Sequence, residues 1–425
     1  MRIKLDANLS LSIKRVFQRE SVEVFVVVAN TFAWYTLVYI FYRSIVENLP
    51  LTASESLSTF VFFYLGIAFS AVLNSVIIRK VARDFLLLIW FFLGVCASLL
   101  LFVIDISLPT SAYAVSIFLG VSIGIGLPSC LAYFADAVKL ENRGKAGGII
   151  WASAGVGTLV FAAPAYILNN IATAILLLTV LRLSGLLFFL FKREQKTAVG
   201  LKRDYPFHAI LRDSHVLLYL LPWVMFCLIN WIESPIVENL FGSEFFNFVT
   251  FTEFAISGVF ALVGGIFSDW VGRKRIIIIG FIMLGIEYAV LSFLQNSIIS
   301  RYIYIAFDGI TWGMFAVVFF IVLWGDLAKD SLKEKYYIIG GLPYLLASFL
   351  QVFIKQYIAS IPENMRLGLV NTAFSLASFF LFLAILPLIY APETLPEKKI
   401  ADRQLRKYAE EAKKIVEKEV EKKKV

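Results

Sequence analysis

Long apolar runs alternate with short polar pieces along almost the whole chain. Twelve runs have the roughly 20 residues a helix needs to cross the hydrocarbon core of a bilayer. They are Val22–Phe41, Leu57–Ile78, Phe85–Ile104, Ser111–Phe134, Ala146–Leu168, Ile171–Phe191, Val216–Val237, Phe246–Phe267, Ile276–Leu294, Tyr302–Trp324, Tyr337–Tyr357 and Leu367–Tyr390. In lipid each span must satisfy its own backbone hydrogen bonds and present an apolar exterior, so the runs predict helices. The expected fold is an all-α integral membrane protein with about twelve transmembrane helices. Composition agrees: 60% of the 425 residues are hydrophobic, 16% are charged, and the mean hydropathy is +0.81.

Charge sets the orientation. If the N-terminus is cytoplasmic, 34 of the 39 Lys and Arg residues fall in cytoplasmic pieces and three, Arg43, Arg301 and Arg366, fall outside. Only Arg182 and Lys355 lie within spans. That bias obeys the positive-inside rule and predicts both termini in the cytoplasm of a cell whose plasma membrane the chain crosses. The net charge of +8 is thereby a consequence of topology and implies no nucleic-acid partner. The first 20 residues lack an apolar core and a small-residue cleavage site, so no signal peptide is expected. Cys96, Cys130 and Cys227 each lie in a span and read as small buried apolar groups. His208 and His215 have no thiolate or carboxylate company, and no metal site or cofactor is expected.

The longest internal polar stretch, Lys192–Ser214, divides the spans six and six. The chain is therefore read as an N-terminal bundle (1–191), a linker (192–215), a C-terminal bundle (216–396) and a charged tail (397–425). In the linker, Phe207, Ile210 and Leu211 stand at helical spacing and predict a short helix on the membrane surface. The tail, rich in Lys and Glu, reads as a solvated charged helix. The halves echo each other. Asp136, at the end of span 4, precedes Arg143 by seven residues, and Gly147-Gly148 follows. Asp326, at the end of span 10, precedes Lys333 by seven, and Gly340-Gly341 follows. Matching features in matching halves are the mark of a duplicated transporter body.

The segment Gly265-Ile-Phe-Ser-Asp269-Trp-Val-Gly272-Arg273-Lys274-Arg275 resembles the G-x-x-x-D-x-x-G-R-K/R loop of the major facilitator superfamily. In that family the loop recurs after spans two and eight. The first copy here, Asn74 to Asp84, keeps Arg79, Lys80 and Arg83 but has Asn74, Ile78 and Val81 where Gly, Asp and Gly are expected. Asp136 to Arg143-Gly144 resembles the acid-x6-Arg-Gly signature of sugar and organic-ion members. Pro392-Glu393-Thr394 resembles their P-E-T sequence after the last span; Lys192-Arg193-Glu194 stands where sugar porters carry a second copy. The resemblance covers residues 15–397. It implies two pseudo-symmetric six-helix bundles that rock about a central site, a small-molecule substrate, and a monomer.

The loop chemistry supports a gate independently. Gly265 lets the end of span 8 approach a neighbouring helix closely. Gly272 permits a tight turn. Asp269 is expected at a helix N-terminus, worth about 0.3–1 kcal/mol. Arg273 and Arg275 are expected to pair with Asp326 or Glu334 at the foot of span 10, and only when the cytoplasmic ends are closed. The alternative is that these bases merely obey the topology rule. The gate set is thus Asp136, Arg143, Gly265, Asp269, Gly272, Arg273, Arg275, Asp326 and Lys333.

Charges at membrane depth cost about 2.5–3.5 kcal/mol on insertion scales. Six stand out: Arg182, Glu233, Glu253, Glu287, Asp308 and Lys355. The resemblance puts Glu233, Glu253, Asp308 and Lys355 on cavity-lining spans. A carboxyl group in a partly desolvated cavity can take and release protons near neutral pH, which points to proton coupling. The alternative is a permanent ion pair within the C-terminal half. Lys355 either snorkels outward or neutralises Glu233, Glu253 or Asp308. Arg182 and Glu287 fall on supporting spans and are expected to hydrogen-bond to neighbouring helices. Asn30, Trp34 and Tyr35 in span 1, Trp151 in span 5, Asn230 in span 7, Trp312 in span 10, and Tyr344 and Gln351 in span 11 complete the candidate substrate layer. The proline of span 5 comes only at Pro164, so the Gly-Pro pattern of many antiporters is not reproduced, which favours symport or uniport. No zinc-protease, nucleotide-binding or hydrolase motif occurs, so enzymatic activity is not expected. The leading expectation is a proton-coupled secondary transporter for a small organic solute. The alternative is a sensor or receptor with the same fold and no net transport.

Overall fold

The computed structural model describes residues 19–103, 107–168, 170–191, 203–294, 297–328 and 332–395. Among these, twelve helices are long and apolar enough to cross a membrane. They run Val22–Glu47, Ala53–Ile77, Arg83–Val103, Pro109–Ala137, Leu140–Pro164 and Ile171–Leu190, then Ser214–Phe241, Thr252–Val271, Arg273–Leu294, Ile298–Leu327, Lys333–Ile358 and Gly368–Tyr390. They are spans 1–12 below, and they form two six-helix bundles. Most extend beyond the apolar runs, because polar first turns carry the caps. Thr52 and Glu55 close a capping box at the start of span 2, and Asp213 accepts from the His215 amide at the start of span 7. The predicted linker helix is present as Phe207–Arg212, with Ile210 buried. Residues 192–202 and the tail from 396 lie outside the described residues.

Several spans are irregular. Span 4 stops at Gly124 and restarts at Leu127, where Pro128 occupies the first turn and has no amide to leave unpaired. Span 10 loosens into a π-helix over Ala316–Val322, all of it buried. Span 11 breaks between Ala347 and Leu350.

Small residues set the close crossings. A side chain at Gly66, Gly120 or Gly124 would run into the backbone of the facing helix, so spans 2 and 4 pack backbone to backbone. Spans 5 and 8 cross between the bundles in the same way, at Gly144, Gly148 and Gly265. The outer surface is apolar: Phe69 is 69% exposed and Phe293 is 83% exposed. Only a lipid surround makes such a surface stable.

Candidate functional site

One face of the molecule carries the loops after spans 2, 4, 8 and 10, and it is closed by charge. Span 4 delivers Asp136 and span 10 delivers Asp326 to this basic face. Asp326 accepts from Arg143 of the first half at 2.6 Å and from Arg273 of the second at 3.3 Å. Asp136 accepts from Arg83 of the first half at 2.7 Å and is also paired with Lys333 of the second. The repeated acid-to-base spacing therefore works crosswise. Each base reaches the acid of the other half, and Arg143 also donates to the Ala135 carbonyl beside its own acid.

Asp269 joins the same network. Its two oxygens accept the amides of Gly144 (3.0 Å) and Lys145 (2.8 Å), the first turn of span 5. It also pairs with Arg273 at 2.6 Å. The helix end it serves belongs to the opposite bundle, so this cap forms only with the basic face closed. Gly272 adopts φ +103°, and Glu393 accepts the amides of Arg273 and Lys274 that follow. That contact explains the Pro392-Glu393-Thr394 sequence: it caps the start of span 9 from the end of span 12. Arg275 is exposed and makes no ion pair among the described residues.

Arg83 and Asp204 stand outside the gate set read from the sequence, and Glu334 takes Arg83 in place of the Arg273 or Arg275 expected of it. Arg83 pairs with Glu334 at 2.5 Å as well as with Asp136, so the degenerate first loop still supplies a cross-bundle contact. Its surviving bases were the available signal. Glu334 supplies the second-half acid for that contact. Asp204, at the linker's end, lies 2.5 Å from Arg79 and 2.6 Å from Lys335, clasping the two halves. Arg79 and Asp204 are partly exposed (49% and 29%), so water screens the clasp. Asp204→Ala is expected to cost about 1 kcal/mol or less, seen as a small drop in the thermal unfolding midpoint.

The candidate substrate layer divides. Trp231, Trp312, Tyr344 and Phe320 form a continuous ring cluster in the second half, with Tyr39 and Phe32 of span 1 against it. Trp312 donates to Asn230 at 3.1 Å, and Trp151 donates across the bundles to Ser257 at 3.1 Å. Tyr39 donates to Gln351 at 2.9 Å, and Arg43 also donates to Gln351. Tyr35 is half-buried and packs against the core. Asn30 and Trp34 turn away from this layer. Asn30 donates to the Leu181 carbonyl of span 6 at 2.7 Å, and Trp34 donates to Ser98 of span 3 at 3.2 Å.

The membrane-depth charges form two separate groups. Arg182 is fully buried in the first bundle, its guanidinium 4.1–4.4 Å from the ring centres of Phe91, Trp90 and Trp34. Among the described residues its nitrogens have no hydrogen-bond partner, and ring faces replace the helix contacts expected of it. Among the described residues Glu287 likewise has no partner for the hydrogen bonds expected of it. It is fully buried and shares an electrostatic group with Asp308, Glu233 and Glu253. Tyr304 donates to Glu233 at 3.4 Å, and Glu253 lies across the close crossing of spans 8 and 10, where a Cβ on Gly309 would stand 3.4 Å from the Cα of Glu253. Lys355 is exposed and lies 3.5 Å from Glu238, apart from the buried carboxyl groups.

A sequence model of the major facilitator superfamily matches residues 24–337. The chain belongs to that superfamily. No curated protein sequence matches it. The fold is shared with FucP, the E. coli fucose:proton symporter, at a TM-score of 0.65 and 8% identity over 87% of this chain and 97% of that one. It is shared equally with XylE, a proton:xylose symporter solved with 6-bromo-6-deoxy-D-glucose, at 0.64 and 15% over 88% and 95%. At these identities the likeness is one of fold, and the superfamily chain's own residues must supply the chemistry.

Proposed function

We propose that this chain is a secondary transporter that carries a small organic solute by alternating access, coupled to protons. It works as a monomer in the plasma membrane with both termini in the cytoplasm. The observation that carries the reading is the crosswise pairing of Asp136 and Asp326, each held by a base from both bundles. Such a lock exists in one conformation and is broken in the other, which is what an exchange of access requires. The buried Glu233 and Asp308 support protons as the coupling ion, because carboxyl side chains at membrane depth are the groups from which proton relays are built. The proposed division at 191/216 makes each half one rocking body. The expected result is solute accumulation in proteoliposomes driven by an imposed pH gradient, lost in Asp308→Asn and Glu253→Gln proteins that still insert. Accumulation that persists in both variants removes these carboxyl groups as the coupling site. Solute binding without flux would make the chain a sensor.

A further inference from the structure

Two of the seams between the bundles are packed differently. Spans 5 and 8 cross at Gly144, Gly148 and Gly265, backbone against backbone. Spans 2 and 11 meet through side chains: Ser348 donates to the Tyr64 hydroxyl at 2.9 Å, and the Phe349 ring packs on that of Tyr64. Two cavities follow this second seam. Each measures about 10 Å³, room for one water, so anything larger enters only as the seam parts. The irregular stretches of the fold gather around them. Gly124 and Leu127 flank the break in span 4, and Phe320 belongs to the π-helix of span 10; all three line one cavity. Ser348, in the break of span 11, lines the other. π-Helical turns are frequent at functional sites.

The cavities differ in chemistry. The one farther from the basic face is polar, lined by Tyr39, Arg43, Tyr64, Ser348 and Gln351. Its charged lining residue is a cation. Arg43 donates to Gln351 and pairs with Glu47 at 3.1 Å. That pair is an i,i+4 contact with both side chains partly exposed, so it is weak and an incoming anion can replace it. A guanidinium offers such an anion two parallel N–H donors. The cavity nearer the basic face is apolar. Ala71, Gly124, Leu127, Phe320, Gly341 and Leu345 line it, and the Tyr337 hydroxyl beside them is engaged by the Ile321 carbonyl at 2.7 Å. A Cβ added at Gly341 would meet nothing within 4 Å. Leu345 of this cavity and Ser348 of the other stand one helical turn apart, so the two adjoin. From Gln351 to Gly341 the distance along span 11 is about 15 Å at 1.5 Å per residue. Val72 and Leu346, next to the lining residues Ala71 and Leu345, are exposed on the apolar outer surface, so the seam borders lipid.

We propose that the seam between spans 2 and 11 binds a single-chain anionic amphiphile drawn from the bilayer, with its head at Arg43 and its hydrocarbon chain in the apolar cavity beside Gly341. A cation is repelled at Arg43. A compact anion leaves the apolar cavity unfilled, and a neutral amphiphile gives the guanidinium no charge to replace Glu47. The Tyr64–Ser348 contact stands where the two cavities adjoin, so it opens as the chain enters. The inference rests on the transporter reading in one respect, that the amphiphile bound here is the solute carried.

The test uses full-length protein in phosphatidylcholine nanodiscs and dodecanesulfonate carrying a photoreactive diazirine at its tail. Labelled peptides are read by mass spectrometry after irradiation. Label is expected within residues 337–345 and around Ala71. Unlabelled dodecanesulfonate is expected to compete at least tenfold better than dodecanol, butanesulfonate or dodecyltrimethylammonium. Arg43→Gln is expected to lower the labelling at least tenfold and Arg43→Lys to restore part of it. Gly341→Leu, which fills the apolar cavity, is expected to lower it in protein that stays monodisperse. Label spread evenly over the lipid-facing spans overturns the site. Competition by dodecanol or dodecyltrimethylammonium as strong as by dodecanesulfonate overturns the anionic head, and equal competition by butanesulfonate overturns the apolar chain. Labelling that follows the expected pattern, with no protein-dependent entry of dodecanesulfonate into proteoliposomes, upholds the site and overturns the transporter reading instead.

Discussion

Replacing Asp326 with asparagine is expected to open the basic face. The carboxylate of Asp326 is shared by Arg143 and Arg273, whose side chains are 8% and 0% exposed. An amide oxygen accepts a hydrogen bond but carries no charge, so two buried guanidinium groups lose half of their compensation. Arg273 keeps Asp269, whereas Arg143 keeps only the backbone carbonyls of Ala135 and Val138. Breaking a buried pair by removing one partner costs about 3–5 kcal/mol, and the surviving Asp269 contact places this case near the lower figure. Unfolding is not the outcome, since the cost falls on the closed conformation alone. With the basic face open, both guanidinium groups reach water. A shift of about 3 kcal/mol is a population change of more than a hundredfold. Val317 is fully buried and faces Gly147 across the bundles. A cysteine placed there, in a chain whose three native cysteines are replaced, is expected to react with a thiol reagent at least tenfold faster in Asp326→Asn. Asp136→Asn is expected to do much less. Its side chain is 18% exposed, and Arg83 retains Glu334. Equal reaction rates in Asp326→Asn and its parent would show that this carboxylate does not hold the gate.

Much of this gate was legible before the fold was. The apolar runs exceed what any soluble helix needs, so twelve spans and their alternation follow from lipid physics alone. The Asp269 loop was legible because its glycines and bases exceed what topology demands. The partner of each base was not. Arg143 reaches Asp326 and Lys333 reaches Asp136 because the two bundles meet, and sequence distance carries no information about that meeting. The direction of Asn30 and Trp34 was hidden for a different reason. Span 1 is apolar on every side, because neighbours surround it, so no polar stripe marks which side faces the cavity. Glu287 reads as structural because the resemblance makes span 9 a supporting span, and only tertiary packing brings it near the other carboxyl groups. The π-helical stretch Ala316–Val322 has no marker at all, since its seven residues would equally build a regular helix.

Gly265→Val separates closure from folding. An added Cβ at Gly265 would stand 2.9 Å from the carbonyl carbon of Gly144 and 3.4 Å from the Cα of Gly148. These are backbone atoms of span 5, which cannot rotate aside as a side-chain end would. The isopropyl group of valine needs still more room, and overpacking of this kind costs about 1–3 kcal/mol or more. All three of its nearest clashes lie in the opposite bundle, so the second bundle itself remains free to fold. Spreading spans 5 and 8 also draws Asp269 away from the Gly144 and Lys145 amides, removing a cap worth about 1 kcal/mol. The two losses add in the closed conformation and vanish in the open one. Gly265→Val is therefore expected to purify as a monodisperse protein, to expose the Val317 position to thiol reagent, and to lose solute exchange by at least a hundredfold. Gly313→Val supplies the contrast, because its Cβ would meet Ser257, Phe260 and Ala261 within its own bundle. That variant is expected to lose folded protein outright, read by gel filtration. If Gly265→Val aggregated as Gly313→Val does, the crossing of spans 5 and 8 would be part of the folded core and not a surface that parts during transport.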